Sequence, residues 1–87
     1  MSLIFDRFPN PQQARLFVAA VRTRFALDGQ VFTDPDEALE HDPFPWQLDG
    51  VIVHIDRPVF PEIDAEVEVE NIIEQMGADF GGTFVGT

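Results

Sequence analysis

Two stretches of helical apolar spacing, set among four short strand-like runs, constrain this chain more than any other feature. Residues 3–8 read as a strand that closes at Pro9-Asn10-Pro11. Asn10 is a natural N-cap, Pro11 suits the first helical position, and Gln13 stands where a capping box places Glu or Gln. Ala14, Phe17, Val18, Val21 and Phe25 then recur at helical spacing, which predicts an amphipathic helix over 11–26 with Arg15 and Arg22 on its solvent side. Asp28-Gly29 is the expected stop.

Residues 30–33 read as a second strand. In the polar stretch 34–41, Asp34 can cap a short helical turn with Pro35 first and Glu37 third. Residues 42–46 read as a loop, because prolines bracket Phe44. Residues 51–56 form the clearest strand. Val51, Val53 and Ile55 share one face, and Ile52, His54 and Asp56 share the other. Residues 66–70 alternate like a strand, yet Ala65, Val69, Ile72, Ile73 and Met76 make one helical face, so a helix over 61–76 is expected, stopped by Gly77. Ile63 and Val67 fall on its opposite side, against a loop or within an interface. Residues 80–85 close the chain as a strand.

The order strand, helix, strand, strand, helix, strand predicts an α+β fold, the ferredoxin-like βαββαβ plait. Its antiparallel four-stranded sheet carries both helices on one face. Eighty-seven residues suffice for one such domain and one core. With the helices covering Val51, Val53 and Ile55, the sheet's other face is expected to be open. Ile52 and His54 would then be exposed in a monomer or buried in a homodimer joined through that face. The fold hosts many unrelated functions and names none.

Charge narrows the function. Sixteen Asp and Glu face five Arg, with no Lys, for a formal net charge of −11. The charges are also segregated: residues 1–27 hold four of the five Arg and one acid, Asp6, while the remaining fifteen acids share residues 28–87 with Arg57 alone. Such a field repels nucleic acid and anionic membrane and steers the chain toward basic partners. The chain has no cysteine, so disulfide and thiolate chemistry are excluded. No apolar run approaches the roughly 18 residues of a membrane span, and the opening residues lack a signal-peptide pattern. A cytoplasmic location is expected.

Residue patterns for catalysis are weak. His41 and His54 are the only histidines, and neither has zinc-ligand spacing. His41, beside Glu37, Glu40 and Asp42, reads as a solvated loop residue. The acids of residues 34–42 lack the central Gly and terminal Glu of a calcium loop. Gly81 and Gly82 fit no nucleotide fingerprint and read as a bulge or a close backbone approach. Phe44, Trp46, Phe80 and Phe84 have no basic surround for stacking RNA. No cofactor is expected. The alternative to a binding module is a small plait enzyme or ligand-binding domain using His54 with nearby carboxylates. Glu62, Glu66, Glu70 and Glu74 recur every four residues, which predicts an acidic ridge on the second long helix. It reads either as a plain solvated face or as a ridge that docks an Arg-rich segment.

Several stretches together resemble the regulator of ribonuclease activity B family. They are residues 31–37 (Val-Phe-Thr-Asp-Pro-Asp-Glu), Val51-Ile52-Val53 leading to Asp56, Ile63-Asp64-Ala65-Glu66-Val67, Glu74-Gln75 and the final Gly86-Thr87. The resemblance covers residues 29–87 and, loosely, the first helix. Phe84-Val85 stand where that family carries an Asp-Gly-Trp signature. The resemblance implies a non-enzymatic acidic plait that binds a basic protein partner, ribonuclease E in the family, and inhibits RNA processing. On this reading Asp34, Asp36 and Glu37, the ridge residues Glu62, Glu66 and Glu70, and Phe84 contact the partner.

Overall fold

Proline and asparagine at the end of the first strand do locally what their chemistry dictates. The computed structural model describes residues 2–41, 47–57 and 62–86. Strand β1 (Ser2–Phe8) leads into helix α1 (Pro11–Phe25). Asn10 is extended, and its side-chain oxygen accepts the Gln13 N–H at 2.8 Å. This satisfies one of the donors that every helix start leaves open. Ala26, at φ 56°, ends α1 by donating its N–H to the Arg22 carbonyl, with Arg22 and Arg24 in the last turn to complement the dipole. The helix thus stops before the expected Asp28-Gly29.

Strand β2 (Gly29–Phe32), helix α2 (Pro35–His41), strand β3 (Val51–Asp56), helix α3 (Ile63–Asp79) and strand β4 (Thr83–Gly86) follow. The four strands form one antiparallel sheet in the order β2-β3-β1-β4. This is the expected α+β fold, compatible with a βαββαβ plait, with α2 inserted between β2 and β3. The expected loop at 42–46, with Asp42, Phe44 and Trp46, the helix start at Pro61, and Thr87 lie outside the described residues.

One layer of core lies between the sheet and the long helices. Leu3, Phe5 and Phe8 of β1, Val53 and Ile55 of β3, Ala14, Phe17 and Val21 of α1, and Ile73 of α3 are all buried there. Its centre is aromatic: Phe17 meets the Phe5 ring edge-on at 4.9 Å and stacks on Phe8 at 5.4 Å, while Phe84 of β4 lies 5.3 Å from Phe5. Rings at these separations add to the stabilisation from their buried area.

Strict strand alternation would turn Phe8 away from Phe5. The sheet avoids this with a bulge. Phe5 pairs with Val53 and Phe8 with Val51, so Asp6 and Arg7 together oppose Ile52. Arg7 takes a left-handed φ of 60° to make the turn. Its N–H donates to the Asp49 carbonyl at 2.9 Å, and the Asp49 N–H donates to the Asp6 carboxylate at 3.1 Å. Asp6 is thereby buried with a donor in place, as burial of a carboxylate requires.

The second face of the sheet is covered, contrary to the sequence expectation. Ala38 of α2 and Leu48 pack with Ile4 of β1 and Ile52 of β3, and Phe32 and Val85 flank them. Ile52 is fully buried and His54 is 2% exposed within a single chain. Pro35 and Ala38 point to the cause: a seven-residue helix, capped by Asp34, is long enough to lay one small apolar side chain on the strands. The segment that reads as a polar turn is a lid over this face.

Helix α3 settles the strand-or-helix ambiguity at residues 66–70 in favour of helix. It also runs past its expected stop. Gly77 is buried within the helix, and the helix ends instead at Phe80. Gly81, at φ +88°, donates to the Ala78 carbonyl, and Gly82 donates to the Gly77 carbonyl at 2.9 Å. These two bonds are a Schellman motif, and its left-handed position suits glycine. The expected face also turns. Only Ile73 and Gly77 are buried in α3, while Ala65, Val69, Ile72 and Met76 are half-buried. The last strand accordingly starts at Thr83 and not at residue 80.

Candidate protein-contact surface

Side chains expected to meet a partner fall into three settings. The first is the start of α2. Asp34, Asp36 and Glu37 are all exposed there. Asp34 already serves the helix, since its Oδ1 accepts the Asp36 N–H at 3.0 Å. Asp36 and Glu37 lie in the first turn, where negative charge suits the helix dipole. Glu40 adds a further exposed carboxylate.

The second setting is α3. Glu62 precedes the helix and is exposed, but Glu66, Glu70 and Glu74 are half-buried along its flank. The fully solvated ridge expected over 62–74 is therefore present only at its first residue. The reason is Gly77. Residues 66, 70, 73 and 77 form one stripe at helical spacing, and close packing at Gly77 draws that stripe toward the core. Glu70 is engaged as well: Arg57 Nε lies 3.2 Å from its Oε1. Asp64 and Glu68 stand out in solvent instead, beside Ile63 and Val67, which are 77% and 50% exposed. In the sequence Gly77 shares the helical stripe of Ile73, but nothing local distinguishes it from a terminator.

Phe84 forms the third setting. It packs inward against Phe5 as part of the main core. Phe80 likewise lies 6.1 Å from the Phe17 ring. Neither ring is displayed as a stacking platform, and Phe44 and Trp46 lie outside the described residues.

His54 is the other residue singled out by sequence, and the structure corrects its expected exposure. It lies beneath α2 with its ring 5.0 Å from Phe32 and 5.6 Å from His41. His41 itself is exposed at the end of α2. Their alignment follows from the β2–β3 register, which sets Gln30 against His54 and Phe32 against Ile52, with α2 returning over them. Among the described residues no group of three or more His, Cys, Asp or Glu is arranged to hold a metal ion. No helix among them is long and apolar enough to cross a membrane.

The arrangement can attract and orient a positively charged surface. Apart from Asp6 and the half-buried Glu66, Glu70 and Glu74, every described acid is exposed. Compared with known proteins, the chain matches no family model, no curated protein and no solved structure.

Proposed function

We propose that this chain is a non-enzymatic regulatory domain that binds a basic protein segment. The observation that carries the reading is the exposure of Asp34, Asp36, Glu37, Glu62 and Asp64 at the starts of α2 and α3, in a chain whose net charge is −11. Asp34, Asp36, Glu37 and Glu62 are its exposed contacts. Fields of this size speed encounter with a basic partner and select against acidic ones. The resemblance to the regulator of ribonuclease activity B family makes a ribonuclease E-like enzyme the specific partner, with the acids competing for its basic RNA-binding segment in the cytoplasm. The alternative of an enzyme centred on His54 draws less support, because that ring is 2% exposed under α2. A homodimer through the sheet face loses its motive for the same reason, as Ile52 is already covered.

The test is a binding titration of the purified chain against a ribonuclease E fragment and against an unrelated Arg-rich peptide, at low and at physiological salt. Binding of both that weakens as salt rises supports the electrostatic reading. Failure of the ribonuclease fragment alone removes that partner, and failure of both at low salt overturns the proposal.

A further inference from the structure

Among the described residues three large apolar side chains are well exposed: Leu16 on α1, and Ile63 and Val67 on α3. The α3 pair is one helical turn apart, so it forms a continuous apolar strip and not two isolated side chains. Helical geometry places acids on both sides of it. Asp64 and Glu68 follow each apolar residue by one position and are exposed. Glu66 and Glu70 stand three positions on, half-buried along the opposite flank, where Glu70 already meets Arg57.

We infer that the Ile63–Val67 strip of α3 docks a basic amphipathic helix of a partner protein. This rests on the reading of the chain as a binder of basic segments, and it names where and how such a segment sits. Charge decides between the occupants of an exposed apolar strip. A second copy of this chain would bring the same acids face to face, and an anionic bilayer would meet the same repulsion. A helix with leucines along one stripe and arginines at its margins satisfies both features, because the leucines cover Ile63 and Val67 while the arginines reach the exposed carboxylates of Asp64 and Glu68. Pairing of an i, i+4 ridge with the groove of a second helix is the commonest geometry of helix contact.

Two fluorescein-labelled peptides of equal length and equal positive charge test this on the whole chain. One carries leucines at helical spacing, and the other replaces them with serine. Fluorescence anisotropy at low salt should give the leucine peptide about tenfold tighter binding, as expected for covering one to two apolar side chains. The variant Ile63→Ser/Val67→Ser should erase that advantage and leave the serine peptide's affinity unchanged. Asp64→Asn/Glu68→Gln should weaken both peptides. Amide shift changes on adding the leucine peptide should centre on α3. Val67→Ala, which keeps helix propensity, serves if the double variant does not fold, and it should remove part of the advantage. Equal binding of the two peptides, indifferent to the apolar variants, overturns this inference and leaves the basic-partner reading standing. Absence of binding by either peptide overturns both. A dimer of the native chain in sedimentation that the apolar variant dissolves makes a second copy the occupant and overturns the inference.

Discussion

Gly77 and Phe5 occupy each other's space: a Cβ placed on Gly77 would lie 2.7 Å from two carbons of the Phe5 ring. Phe5 is fully buried and held between Phe17 and Phe84, so it has no room to yield. Gly77→Ala therefore sets two effects against each other. Alanine raises helix propensity by about 1 kcal/mol, whereas overpacking a closed core costs about 1–3 kcal/mol. The clash should win, and urea unfolding should show a net loss of stability. A stabilised variant would mean that α3 can slide off Phe5.

Arg7 is the strained residue of the β1 bulge. Its left-handed φ of 60° costs a non-glycine residue roughly 1–2 kcal/mol. Arg7→Gly should be neutral or slightly stabilising. Arg7→Val should cost more than 1 kcal/mol, since a β-branched side chain is the least tolerant of this conformation, by about the same scale. Thermal denaturation of the two variants gives the comparison, and equal Tm values would show that the bulge relaxes. Asp6→Ala, which leaves the Asp49 N–H without its carboxylate, should lower stability by about 1–3 kcal/mol.

Ile52 is buried inside the single chain, under Ala38 and Leu48. Ile52→Ala should cost about 2–5 kcal/mol. The loss should be the same at every protein concentration, because no second copy contributes to the burial. A loss that shrinks on dilution would show instead that the site is completed between chains.

Glu70 is paired with Arg57, and Glu62 is exposed at the start of α3. If acids drive encounter, Glu62→Gln should slow association with a basic partner more than Glu70→Gln does. Stopped-flow association rates at low salt decide this. Both effects should fade as salt shortens the screening length below about 10 Å.

The excess of acids should also oppose folding. Adding sodium chloride should raise Tm by a few degrees by screening exposed carboxylates from one another. An unchanged Tm between low and high salt would show that the solvated acids repel too weakly to matter.

Local signals stood plainly in the chain. Asn10 and Pro11 begin α1, alternation marks β3, and two helical stripes among short strands dictate an antiparallel α+β sheet, because capping and amphipathic period depend on near neighbours alone. What depends on contact between distant residues was not legible. Two glycines four residues apart, Gly77 and Gly81, look alike as helix stops. Only the Phe5 ring shows that the first is a packing position, leaving the second to take the positive φ that ends α3. That choice rotated the helix and drew Glu66 and Glu70 to its flank. His54 and Ile52 alternate like solvent-facing residues, and only the return of α2 across the sheet buries them. Sequence therefore determined which segments form helices and strands and how much charge they carry. Tertiary packing decided which side of each segment meets water, because that depends on which ring or helix from elsewhere in the chain has already taken the space.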